Sequence, residues 1–294
     1  MAASHIQGKV CLVTGSSSGI GKVTARELAT MGARVVMLCR NRAKGEAVQA
    51  EIKAASHNAQ VDLIVADLAE LSEVRRAAHQ FKQNYTQLHV LINNAGGMNA
   101  ERTVTSDGLE ATFATNYLAP FLLTQLLLDV LKASAPARIV NVSAAGHTIG
   151  KIDFTDLQGE HHYNALKAYT QSKLAQIYFT YELAERLTGT GVTVNALDPG
   201  HVVSHFNDST KGIVHVIAEV IYFFDGIGAE QGAQTMLYLA TSPEVESVSG
   251  KYFSNCKPIP SSRRSYDVAV RHRLWDVSVA LTTQKETSRL PSVC

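Results

Sequence analysis

The chain has 294 residues, 46% of them hydrophobic and 18% charged, enough to bury one full core and in keeping with a single α/β domain. Its 27 basic and 26 acidic residues are interspersed and leave a net charge of +1, which excludes the basic footprint of a nucleic-acid-binding surface. Four cysteines, Cys11, Cys39, Cys256 and Cys294, stand far apart without Cys-x-x-Cys or zinc-like spacing, so neither a disulfide framework nor a structural metal is expected.

Short Val/Ile/Leu-rich runs at 10–14, 34–39, 61–65, 90–93, 138–143, 192–198 and 251–253 read as about seven strands. Their successive rather than alternating apolar residues suit a parallel sheet covered on both faces. Helical periodicity fills the gaps at 20–31, 43–55, 71–85, 109–134, 167–187 and 229–241. Strand–helix alternation without a linker implies a doubly wound Rossmann-type α/β domain over residues 1–260. Residues 261–294 hold scattered charge and one Trp with no clear period, and read as a tail whose order the pattern does not specify.

In chain order, the first strand runs into Thr14-Gly15-Ser16-Ser17-Ser18-Gly19-Ile20-Gly21 and then a helix. Glycines there let the backbone approach a pyrophosphate, and the helix start offers unpaired N–H groups. A plain turn is the rival reading, and the strand–turn–helix context favours a phosphate site. The second strand ends in Leu38-Cys39-Arg40-Asn41-Arg42, with no carboxylate, and the third ends at Asp67-Leu68, where Asp67 suits a helix cap as well as a ligand contact. The fourth ends in Asn93-Asn94-Ala95-Gly96. Asn116 interrupts an apolar helix, where an amide belongs only if hydrogen-bonded. Ser143 ends the fifth strand, at the edge where open α/β sheets bind ligands. Tyr169 and Lys173, at i and i+4, share one helix face, and a nearby ammonium favours the phenolate form of a tyrosine. Pro199-Gly200 follows the sixth strand. The apolar stretch 205–228 suits a lid, a dimer surface or core equally. Its most apolar part, 213–224, is broken by His215 and Glu219 and falls short of the ~20 residues a bilayer span needs. The amino terminus lacks a signal-peptide pattern, so a cytoplasmic protein without a transmembrane segment is expected. Glu160, His161 and His162, and His201 with His205, do not make a persuasive ligand set, and no metal is expected.

The spacing Gly15-x-x-x-Gly19-x-Gly21, followed in order by the Asn-Asn-Ala-Gly, Tyr-x-x-x-Lys and Pro-Gly motifs, resembles the short-chain dehydrogenase/reductase family over about residues 7–255. The segments 138–147, 152–158 and 163–169 look like its retinol dehydrogenase and WW-domain oxidoreductase branch, although Asp198 stands where that branch usually has His before Pro. The resemblance implies hydride transfer between a nicotinamide and a carbonyl or alcohol carbon, with Asn116, Ser143, Tyr169 and Lys173 as the catalytic group. It assigns Gly15, Ser16, Ser17, Ser18, Gly19, Ile20, Gly21, Arg40, Asn41, Asp67, Leu68, Asn93, Asn94, Ala95, Gly96, Tyr169, Lys173, Pro199, Gly200, Val202 and Ser204 to the cofactor. An acid at the end of the second strand would bind a free ribose, whereas the Arg40 guanidinium suits a 2′-phosphate, so NADP(H) is the expected coenzyme. The expected substrate is an apolar aldehyde or ketone, retinal-like, medium-chain or steroid-like. A catalytically silent NADP(H)-binding sensor or scaffold is the alternative. The long helices 109–134 and 167–187 could pair between subunits of a homo-oligomer, or cover their own sheet.

Overall fold

The computed structural model describes residues 5–200 and 228–283. Its elements in chain order are β1 (Val10–Thr14), α1 (Gly19–Thr30), β2 (Arg34–Cys39), α2 (Arg42–Ser56), β3 (Val61–Val65), α3 (Leu71–Asn84) and β4 (Val90–Asn93). A helix α4 (Ala111–Ala133) follows, with a π-helical turn at Ala114–Leu118. Then come β5 (Ala137–Val142), α5 (Ala165–Arg186), β6 (Val192–Asp198), α6 (Ala229–Thr241), β7 (Lys251–Ser254), β8 (Lys257–Ile259) and α7 (Val268–Thr283).

The sheet has eight strands in the order β3-β2-β1-β4-β5-β6-β7-β8. The first seven strands in sequence pair in parallel, and β8 turns back antiparallel on β7. The chain reverses its direction of winding between β1 and β4, which opens a crevice at the carboxyl ends of these strands. Period-two alternation sorts β1 onto both faces: Val10 and Leu12 join a core with α3, α4 and α5, while Cys11 and Val13 pack with α1, α2 and α6.

Three features depart from the sequence pattern. An eighth strand, Lys257-Pro258-Ile259, is hidden because Pro cannot donate to a ladder, and it survives at the sheet edge where one side needs no partner. The 109–134 helix starts at Ala111, because the buried Glu110 carboxylate accepts the Thr112 and Phe113 N–H groups at 2.7 Å and caps it. Residues 261–283 fold back on the domain: a 3-10 turn at Arg263–Tyr266 leads into α7, which lies on α4 and α5. By length and composition α4 is long and apolar enough to cross a bilayer, but it is mostly buried inside the protein, as a core helix would be.

Candidate active site

The glycine turn is built for close approach. Gly15 has φ +66° and Gly19 φ +53°, a region glycine enters freely. A Cβ on Gly15 would lie 2.9 Å from the Ala95 Cα, and one on Gly21 would run into the Gly15 carbonyl and the Asn94 amide. Ser18 occupies the N-cap of α1 without a side-chain cap bond, so the first-turn N–H groups stay available to an anion. This cradle fits a dinucleotide pyrophosphate.

Thr14 ties that turn to the next. Its hydroxyl accepts the Asn94 and Ala95 N–H groups at 2.9 and 3.0 Å, while the Asn94 amide donates to the Thr14 carbonyl at 2.8 Å. Asn93 faces the other way: its amide donates to Asn141 at 2.8 Å and Thr124 at 3.2 Å, inside the sheet–helix interface. Ser16 is buried, and Ser17 and Ser18 are partly exposed. Arg40 and Asn41 lie exposed at the end of β2, where Asn41 caps α2 through the Lys44 N–H at 2.9 Å. Asp67 accepts the Ala69 N–H at 3.0 Å in the turn after β3, and Leu68 puts its side chain into the core.

The catalytic candidates converge on the same crevice. Asn164 caps α5 through the Lys167 N–H at 2.9 Å, which starts the helix one turn before Tyr169. Lys173 is buried, and its ammonium donates to the Val142 carbonyl at 2.9 Å while lying 5.6 Å from the Tyr169 ring centre. Burial pushes the Lys173 pKa down to about 8, against the opposing pull of Asp198. Ser143, just past β5, donates its hydroxyl to the Lys173 carbonyl at 2.9 Å. The Tyr169 ring edge lies 3.5 Å from where a Gly146 Cβ would stand.

Asn116 sits in the π turn of α4 and is fully buried. Its amide donates to the Gly97 carbonyl and the Ser172 hydroxyl, both at 2.9 Å, and its side-chain oxygen accepts the Gly97 N–H at 2.8 Å. A Cβ on Gly96 would stand 3.1 Å from that oxygen and 3.5 Å from Lys173 Nζ, so Gly96 lets the amide and the ammonium come together. The Asn116 backbone carbonyl accepts from Gln176 Nε2 at 2.6 Å. One sheet end thus gathers Asn116, Ser143, Tyr169 and Lys173, with the Asn94–Gly96 turn and Pro199-Gly200 beside them.

Thr14, Gln176 and His147 also serve the site, although their residue types give no signal of it in the sequence, even where Thr14 opens the glycine turn and His147 closes the segment 138–147. His147 is buried, donates Nδ1–H to the Ala144 carbonyl at 2.8 Å and accepts the Ser262 N–H on Nε2 at 3.1 Å. It therefore ties the loop after Ser143 to the carboxyl-terminal segment. Val202, Ser204, His201, His205 and the apolar stretch to residue 227 lie outside the described residues. The Asp156 carboxylate accepts the Glu160, His161 and His162 N–H groups, and among the described residues no three His, Cys, Asp or Glu side chains group as metal ligands.

The short chain dehydrogenase family model matches residues 9–212. The chain belongs to this family. It is an NAD(P)-dependent oxidoreductase of the retinol dehydrogenase branch, acting on CH–OH groups. This short-chain dehydrogenase is 47% identical to mouse (Mus musculus) retinol dehydrogenase 12, over 94% of its own length and 87% of that protein. It is 42% identical to human (Homo sapiens) retinol dehydrogenase 14, over 93% and 86%. Among solved structures it is similar to an uncharacterized protein from Mycobacterium paratuberculosis, at TM-score 0.77 and 34% identity over 96% of each chain. It also resembles RhlG of Pseudomonas aeruginosa in an NADP active-site complex, at TM-score 0.70 and 25% identity over 86% of this chain and 97% of that one.

Proposed function

We propose that this short-chain dehydrogenase uses NADP(H) to interconvert an apolar aldehyde or ketone with its alcohol, and that Tyr169 is the acid/base. The observation that carries the reading is the convergence of Tyr169, the buried Lys173, Ser143 and Asn116 beside a glycine turn shaped for a pyrophosphate. A bound nicotinamide supplies the hydride in reduction and accepts it in oxidation. Ser143 holds the substrate oxygen, its O–H turning from the Lys173 carbonyl toward that atom. Tyr169 gives its phenolic proton to the forming alkoxide, or takes the alcohol proton in the other direction. The Lys173 ammonium favours the phenolate, and Asn116 fixes the Gly97 backbone and Ser172 around it.

The coenzyme reading is supported by the end of β2, where no carboxylate stands to repel a 2′-phosphate. Arg40 is exposed there and makes no ion pair among the described residues, which leaves its guanidinium for a phosphate. Identity to retinol dehydrogenases supports an apolar substrate, retinal among the first to try. The free, widely spaced Cys11, Cys39 and Cys256 fit a cytoplasmic setting.

The test follows loss of NADPH absorbance with retinal, medium-chain aldehydes, aromatic ketones and steroids, with NADH in parallel. Turnover should favour NADPH by roughly 10-fold or more, the worth of one charge-assisted phosphate contact. Tyr169→Phe should lower it by roughly 10²- to 10⁴-fold while NADPH binding persists. Undiminished turnover in that variant removes Tyr169 from the mechanism, and a preference for NADH removes Arg40 from coenzyme choice.

A further inference from the structure

Asp198, the residue before Pro199-Gly200, is placed by strand alternation. On β6, Leu197 packs into the core beneath α1 and α6, whereas Ala196 clusters with Ile177, Tyr181 and Tyr252 on the α5 side. Two residues on from Ala196, Asp198 faces the α5 side as well. On α5, Lys173 is one turn from Ile177, toward the helix start that lies at the same sheet end. Moving from the Ala196–Ile177 contact by two strand residues and one helical turn brings Asp198 level with Lys173. The anchoring of Lys173 agrees: its ammonium donates to Val142, which is paired in register with Leu197, the neighbour of Asp198. Asp198 is fixed in turn by its Oδ1, which accepts the Gly200 N–H at 3.0 Å.

We propose that Asp198 is a positioning residue for the catalytic group, its carboxylate being the counter-charge that keeps the buried Lys173 in its ammonium form beside Tyr169. The inference rests on the reading of Lys173 as the partner of Tyr169. Burial works against the ammonium, and among the described residues Asp198 is the charge that works for it. Among the described residues, the other groups at this sheet end do not share the task. Asn116, from α4, is neutral. His147, from the loop after β5, and Tyr252, from β7, both feel the Asp198 carboxylate. Burial pushes the His147 pKa down and the Tyr252 pKa up, so both are neutral at neutral pH.

The experiment reads Lys173 directly. Protein labelled with ¹³C-lysine is titrated by NMR without cofactor, and the Lys173 signal is assigned by its loss in Lys173→Arg. In Asp198→Asn, which keeps an oxygen for the Gly200 N–H, the Lys173 midpoint should fall by about half a pH unit or more, roughly a threefold loss of proton affinity. Asp198→Ser, a second neutral variant, should move it the same way, and Asp198→Glu should leave it in place. An unmoved midpoint in both neutral variants overturns the proposal, as does a Glu variant that shifts as far as Asn. The alkaline limb of kcat/KM with NADPH and an aldehyde should move with the NMR midpoint. A shifted midpoint in a protein that turns over no carbonyl substrate would uphold the Asp198–Lys173 coupling while defeating the catalytic reading.

Discussion

At the scale of single residues, polar groups gather where burial disfavours charge. His147 illustrates the consequence for pH. Its Nδ1–H serves the Ala144 carbonyl and its Nε2 is an acceptor for the Ser262 N–H, so only the neutral tautomer satisfies both. Burial lowers the His147 pKa below its ordinary 6.5. With the folded value depressed, the unfolded chain takes up the proton first as pH falls, and stability drops from pH 6.5 down through the folded value. His147→Gln removes that titration. Melting curves at stepped pH should show a shallower acid loss in the variant, together with a fall of roughly 1–3 kcal/mol at pH 7 from the disturbed hydrogen bonds. Equal acid slopes in both proteins would rule out His147 as the group responsible.

At the scale of elements, the sheet and the glycine turn were legible because each is a local pattern: apolar runs for covered strands, and a Gly-rich turn between a strand and a helix. The π turn in α4 was not. A widened turn shifts later residues around the helix axis but leaves an apolar helix looking apolar, so the sequence shows only an amide out of place at Asn116. The chain resolves the irregularity from α5, where Gln176, itself buried, donates to the Asn116 carbonyl at 2.6 Å. Nearby, a buried chain of side-chain bonds runs from Asn93 through Asn141 to Thr180, whose hydroxyl donates back to the Gln176 carbonyl at 2.8 Å. Gln176→Leu removes this donor from the Asn116 carbonyl, to which Pro120, four residues on, can offer no N–H, and should cost about 1–3 kcal/mol in chemical denaturation. Because Asn116 is then poorly held, kcat should fall with KM little changed. A Gln176→Leu protein with the original stability and kcat would show that the π turn stands without this anchor.

At the scale of the molecule, the carboxyl-terminal helix changes what α4 and α5 present to the outside. Its buried residues are Leu274, Ser278 and Thr282, spaced by four, and two of the three are polar, which is why no apolar period marks α7 in the sequence. Ser278 pairs with the buried Tyr117 hydroxyl at 2.7 Å, and Thr282 offers its carbonyl to Arg75. Trp275 packs edge-on to Phe121 at 5.0 Å, with Arg186 stacked 4.1 Å above its ring. The buried Glu182 of α5 meets Arg271 of α7 and Arg186, each at 2.7 Å. Part of the α4–α5 surface that the sequence offered for pairing between subunits is thus occupied by the chain's own end. Trp275→Ala should destabilise the protein by about 2–3 kcal/mol, less than a fully buried Trp would, because this one is partly exposed. Ending the chain before Val268 strips away the Trp275 contact, orphans the Tyr117 hydroxyl and takes one of its two arginines from Glu182. The loss should exceed about 4 kcal/mol, a fall in Tm of at least roughly 6 °C for a chain of this size. The uncovered Tyr117, Phe121 and Phe179 face should also make the shortened protein self-associate, seen as light scattering that grows with concentration. A shortened chain that melts where the full one does, and keeps the full chain's oligomeric state at every concentration, would mean that α7 merely rests on a surface already complete without it.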